Sequence, residues 1–275
     1  MIGRANIYIK RSISARISLV LTLLLSCTPA FADVQSDIDS LVQQARKDNG
    51  DGNYADAESK LKQALFLSSN RLGAMDSTTG STARRLADFY MNRNRYADAE
   101  HCLQRSLVIA SKYSVAVSDS NGDFQNVRGF LNESVRNPQT LPGSIEVADA
   151  LSGIANLYSR MGRYSDSERL YKRVIQIYQN GGENAGNPIY YTPDSKEKLA
   201  DTQLGLAQSY YRQGNVLDAE NMFKTYVSTV REDKGNSKDL ALALTHLAEF
   251  YKSQSRSSDA DAAESESKEI LSRYR

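Results

Sequence analysis

One short signature recurs five times in the 275-residue chain: Tyr54-Ala-Asp-Ala-Glu58, Tyr96-Ala-Asp-Ala-Glu100, Tyr164-Ser-Asp-Ser-Glu168, Val216-Leu-Asp-Ala-Glu220 and Ser257-Ser-Asp-Ala-Asp261. A motif repeated at this interval marks one supersecondary unit per copy, each unable to bury its apolar flank alone and therefore stacked on the next. Such an array offers one long surface in place of a closed pocket of reactive groups. Binding is therefore the expected activity, and catalysis is not.

Successive signatures lie 42, 68, 52 and 41 residues apart, so two intervals carry inserted chain. The insertions fall at 114–142 and 181–193, where Pro138, Pro142, Pro188 and Pro193 and many glycines cluster; this is linker chemistry. The units are placed roughly at 34–70, 79–113, 147–180, 199–233 and 240–275.

A preceding helix can be read before each signature: Leu86-Ala-Asp-Phe-Tyr90, Ile154-Ala-Asn-Leu-Tyr158, Leu206-Ala-Gln-Ser-Tyr210 and Leu247-Ala-Glu-Phe-Tyr251. In the first unit the equivalent, Gln44-Ala-Arg-Lys-Asp48, is degenerate. The spacing puts a large residue, a small one and a Tyr on one helical face, and the Ala lets the partner helix approach. Between the two helices come Gly52-Asn53, Asn94-Arg95, Gly162-Arg163, Gly214-Asn215 and Ser255-Arg256, residue types suited to the left-handed backbone that ends a helix. Asp56, Asp98, Asp166, Asp218 and Asp259 then fall in the first turn of the second helix, where negative charge meets unsatisfied amides.

This order of Leu-Ala, Tyr, Gly, Tyr and Ala resembles the tetratricopeptide repeat, and the 42-residue period is similar to the longer variety of kinesin light chains and many bacterial proteins. The resemblance covers roughly residues 34–275 and is clearest in units two to four. It implies an all-α, right-handed α-solenoid of about five helix hairpins with two inserted loops, and a protein- or peptide-binding adaptor. The last unit departs from the pattern, with Ser257 in place of an aromatic and Glu264 in place of a large apolar residue, as expected of a polar terminal cap.

The resemblance also implies that the first helices line a concave face. Its inward positions fall on Arg84, Asp88, Met91 and Asn92; on Asn156, Ser159 and Arg160; on Gln208, Tyr211 and Arg212; and on Glu249 and Lys252. Arg84, Arg160 and Arg212 suit carboxylates, Asn92, Asn156 and Gln208 suit a peptide backbone, and Tyr211 offers a flat apolar contact. A plain polar face of the array is the competing reading. The paired Lys and Arg clamp of chaperone-binding relatives is not reproduced as a set.

The N-terminus has a different character. Arg4, Lys10, Arg11 and Arg16 precede the apolar run Ile17 to Leu25, and Ala30-Phe31-Ala32 offers a cleavage site, so 1–32 reads as a secretory signal. The run is far short of the ~20 residues of a membrane-spanning helix. Leu24-Leu25-Ser26-Cys27 also resembles a bacterial lipobox, in which Cys27 is lipidated and contacts a membrane. Both readings send the protein out of the cytoplasm, to the periplasm or the secreted space. The mature chain would carry 30 basic residues against 33 acidic ones, a charge of −3 that gives nucleic acid nothing to bind.

Little else suggests chemistry. Cys102 would be the one remaining thiol, read as buried filler. His101 and His246 stand on different units without metal-ligand spacing, and no nucleophile elbow, phosphate loop or dinucleotide fingerprint occurs. Asp48 to Asn53 and Asp119 to Asp123 superficially suggest calcium loops but lack the Gly at the sixth position and the acid at the twelfth. No catalytic residue, cofactor or metal is expected. Three readings stay open for Ser114 to Pro142, in which Phe124, Val127, Phe130 and Leu131 could form one helical face: a packed helix, a partner contact or a disordered loop.

Overall fold

The computed structural model describes residues 33–111, 127–180 and 193–274, and no strand occurs among them. In chain order the helices are α1 (33–50), α2 (Tyr54–Arg71), α3 (Ser77–Met91), α4 (Tyr96–Ser111), α5 (Val127–Arg136), α6 (Ile145–Arg160), α7 (Tyr164–Asn180), α8 (Pro193–Gln213), α9 (Val216–Lys234), α10 (Lys238–Ser253) and α11 (Ser257–Ser272), with a 3-10 turn at Pro138–Thr140. The fold class is thus the all-α array of tetratricopeptide-like hairpins that the signatures imply.

Five of these helices, α2, α4, α7, α9 and α11, begin on the first residue of a signature. The turn before each is the same device. Gly52, Asn94, Gly162, Gly214 and Ser255 all adopt positive φ, between 57° and 84°. The next amide then closes back on a carbonyl five residues earlier: Asn53 on Asp48 at 2.8 Å, Arg95 on Tyr90 at 2.9 Å, Arg163 on Tyr158 at 2.8 Å, Asn215 on Tyr210 at 2.9 Å and Arg256 on Tyr251 at 3.0 Å. A left-handed residue with this closure is the Schellman stop, which satisfies carbonyls a helix end would otherwise leave bare.

The described residues fall into two compact units that divide between Leu86 and Ala87. In the N-terminal unit Ile38, Val42 and Ala45 of α1 are buried, as are Ala57, Leu61 and Ala64 of α2. Asp48, the first residue of the supposed calcium loop, forms an ion pair with Lys60.

In the second unit each hairpin packs on its neighbour, α4 on α6, α6 on α7, α7 on α8, α8 on α9, α9 on α10 and α10 on α11. The fourth residue of each signature is small because it faces the partner helix. Ala99, Ser167, Ala219 and Ala260 are completely buried, and the Ser167 hydroxyl donates to the Ala155 carbonyl at 2.8 Å. Glycine permits closer contact at two places. A Cβ on Gly153 would come within 2.6 Å of Leu103, and one on Gly205 within 2.6 Å of the Tyr171 ring. Cys102 is buried within α4, as expected of a small filler.

Within the first insertion, 127–142 is ordered structure and not plain linker. Helix α5 lies against α4 and α7 with Leu131 and Val135 buried, and Pro138 and Leu141 are buried after it. Arg173 of α7, itself buried, fastens this segment by donating to Gln139 Oε1 at 3.0 Å and to the Leu141 carbonyl at 2.9 Å. Of the second insertion Pro193 opens α8, where its missing amide costs nothing, so this helix starts ahead of the expected 199. Residues 114–126 and 181–192 lie outside the described residues, as do 1–32 with Cys27 and the cleavage site, and Asp119 to Asp123.

Candidate functional site

Helices α6, α8 and α10 are the first helices of consecutive hairpins, and the pairs Ile154-Ala155, Leu206-Ala207 and Leu247-Ala248 are turned into the core and buried. Burying that face forces residues two, five and six positions beyond the large anchor residue to the other side. On α6 these are Asn156, Ser159 and Arg160, on α8 Gln208, Tyr211 and Arg212, and on α10 Glu249, Lys252 and Ser253. All but Lys252 line one groove of about 540 Å³.

Second helices supply the floor. Tyr164 and Tyr171 of α7 and Phe223 of α9 reach it from below, and His246 and Phe250 complete the α10 wall. Tyr211 and Phe250 meet edge to face, with ring centroids 5.8 Å apart, and Phe223 lies 5.0 Å behind Phe250. Tyr171 is buried, and burial pushes its phenol far above the ordinary range, against hydrogen bonding to Ser167 and the nearby Arg160 charge. It is a neutral hydroxyl at any working pH, not an acid or base. A chain of hydroxyls runs beneath the groove, from Ser159 to Ser209 at 3.3 Å and from Ser209 to Ser167 at 3.3 Å, tying α6, α8 and α7 together.

Charge is unevenly placed. Arg160 is exposed, and its guanidinium donates to the Asn156 side chain at 3.3 Å and to the Met91 carbonyl at 3.4 Å. Arg212 is exposed on the next helix at the same register, and Glu249 is exposed on the third.

Five of the seven residues assigned from sequence therefore converge: Asn156, Arg160, Gln208, Tyr211 and Arg212. Asn92 is exposed at the end of α3 but is not part of this lining, and Arg84 lies half-buried on α3 in the N-terminal unit. Met91, expected to face inward, is buried at 2% exposure, because an apolar thioether at the helix end packs into the core. Lys252 turns to an ion pair with Glu264. No group of His, Cys, Asp or Glu that could hold a metal ion occurs among the described residues.

Residues 79–112 and 147–180 match the family model of the tetratricopeptide repeat. Two of the hairpins are thus similar to tetratricopeptide repeats. The chain is 21% identical over 211 residues to a kinesin light chain-related protein of Arabidopsis thaliana, a match spanning 70% of this chain but 32%, about a third, of that relative. Among solved structures, a Podospora anserina protein with kinesin light chain-type, nearly identical tetratricopeptide-like repeats superposes with a TM-score of 0.60 at 16% identity, covering 87% of this chain and 96% of the other. A Rap protein in complex with the Competence and Sporulation Factor superposes with a TM-score of 0.56 at 12% identity, covering 87% of this chain and 57% of that one. At such identities the structural likeness speaks for the fold alone.

In tetratricopeptide terms the sequence reading found the polar rim of the groove and missed its aromatic floor. Tyr164 and Phe250 stand within the repeat motifs Tyr164-Ser-Asp-Ser-Glu168 and Leu247-Ala-Glu-Phe-Tyr251, while Tyr171 and Phe223 lie outside any motif. An aromatic at a repeat position both packs against the next helix and shows an edge to the groove. Sequence alone does not separate the two uses.

Proposed function

We propose that this protein is a non-catalytic adaptor that holds a protein or peptide segment in the groove across α6, α8 and α10. Tetratricopeptide folds typically bind proteins and are generally non-enzymatic. The observation that carries the reading is the convergence of Asn156, Arg160, Gln208, Tyr211 and Arg212 with Phe250 in one groove. The polar side chains can pair with peptide amides and carboxylates, and the Tyr211 and Phe250 edges can hold an apolar side chain. The Rap neighbour, solved with a bound factor, is in keeping with this use of the fold.

The test is capture from the native host with the Arg160→Ala/Arg212→Ala double variant. Weaker recovery of partners at unchanged helicity supports the assigned face. An identical set of partners at identical yield counts against it.

Export is part of the proposal and rests on the basic, apolar and small-residue segments of 1–32. The lipobox-like Leu24-Leu25-Ser26-Cys27 favours a second version, in which the protein is a lipid-anchored component of an outer-membrane assembly. Cys27→Ala separates the two: an anchored protein leaves the membrane fraction, and a freely exported one does not change.

A further inference from the structure

The groove is not merely polar; its charge changes sign along its length. Arg160 and Arg212 occupy the same register on α6 and α8, six residues beyond the large anchor residue, and both are exposed in the lining. On α10 that register holds Ser253, and the register that carries the neutral amides Asn156 and Gln208 carries the acid Glu249. Lys252, the cation nearest to Glu249 in the α10 sequence, is ion-paired with Glu264 and is not part of the lining. Within the lining, two positive helices are therefore followed by a negative one, and the Tyr211 ring of α8 meets the Phe250 ring of α10.

Resting on the peptide-binding reading above, we infer that the occupant is a short extended segment carrying an acidic side chain and a basic one at least four residues apart, the acid over Arg160 and Arg212 and the base over Glu249. The minimum spacing follows from geometry. Packed helices are ~8–10 Å apart, and α8 and α10 pack on α9 but not on each other, so α10 lies at least ~13 Å from the midpoint of α6 and α8. Extended chain advances ~3.3 Å per residue, which makes that about four residues or more. A uniformly acidic segment meets repulsion at Glu249, and a uniformly basic one meets it at both arginines, so the pattern rejects as well as selects.

The test uses the full exported chain and a displayed library of random heptapeptides, selected on the wild-type protein and on Glu249→Lys, with Glu249→Gln as a check on folding and local perturbation. Wild-type selection is expected to enrich peptides with an acid and a base four or more residues apart. Glu249→Lys is expected to replace the base by a second acid, and to weaken a wild-type-selected peptide roughly fivefold, as for a partly exposed ion pair turned repulsive. Enriched peptides without paired charges, or an unchanged preference on Glu249→Lys, would overturn the charge assignment while leaving the groove as a peptide site. Enrichment that survives Arg160→Ala/Arg212→Ala unaltered would overturn both.

Discussion

The guanidinium of Arg163 lies 3.8 Å from the centre of the Tyr158 ring and donates to Asp166 at 2.7 and 2.9 Å. One residue at the hairpin turn thus joins the end of the first helix to the first turn of the second. The same clasp recurs as Arg95 between Tyr90, at 4.4 Å, and Asp98, and as Arg256 between Tyr251, at 4.5 Å, and Asp259. Arg163→Ala should cost about 1 to 2 kcal/mol from the lost stacking and ion pair together, read as a shift in the urea midpoint. No shift would reduce the clasp to a surface contact that adds nothing to stability.

The fourth hairpin lacks this clasp, and the gap is informative. Asn215 stands at the Arg position, with Tyr210 and Asp218 already in place, and its φ of −80° and ψ of 69° nearly match the −96° and 70° of Arg256. Asn215→Arg should therefore stabilise the chain, by roughly 0.5 to 1 kcal/mol. Thermal melting compares the two proteins directly.

Gly205 and Gly153 should respond differently to alanine. Both would gain helix propensity, on the order of 1 kcal/mol. At Gly153 the new Cβ meets the flexible end of Leu103, whereas at Gly205 it meets the ring and hydroxyl of the buried Tyr171 on the groove floor. Gly205→Ala should be the more destabilising of the pair and should also weaken partner capture. Denaturant titration and capture yield read the two effects separately.

Arg173 is expected to hold the ordered part of the first insertion in place. Arg173→Met keeps the aliphatic stem but removes donors to Gln139 and Leu141. Hydrogen exchange should quicken across 127–141 while α8 to α11 keep their protection.

Acid should loosen the C-terminal hairpins. Hydrogen bonds from Lys224 and Arg256 hold the Glu220 carboxyl below its ordinary pKa, and those from Lys252 and Lys268 do the same for Glu264. A carboxyl depressed in the folded chain contributes stability above the unfolded pKa of ~4.3 and loses it as pH falls through the lower folded value. The melting temperature should hold from pH 7 to about 5 and then drop, less steeply in the Glu220→Gln/Glu264→Gln variant.

The backbone plan was legible because the residues that make turns are few. Gly, Asn and Ser at 52, 94, 162, 214 and 255 announce left-handed backbone, and each helix after them starts at its signature. The rim of the groove was legible for a related reason: once Ala155, Ala207 and Ala248 are assigned to the core, helical geometry fixes what faces away. The clasps were hidden because Arg95, Arg163 and Arg256 were read only for their backbone. A packed helix in the first insertion was legible only as one of three readings because the periodic pattern stops there, and its docking on α4 and α7 was not, since the buried Arg173 that fastens it looks in sequence like any surface cation.

The central claim is that a partner lies along α6, α8 and α10. Photo-crosslinking in the native host, from a reactive side chain placed at exposed Gln208 in the groove or at exposed Thr225 on α9, tests it most directly. The account predicts discrete adducts from position 208 that vanish with Arg160→Ala/Arg212→Ala, and none from position 225. Adducts from 225 with 208 silent would contradict it.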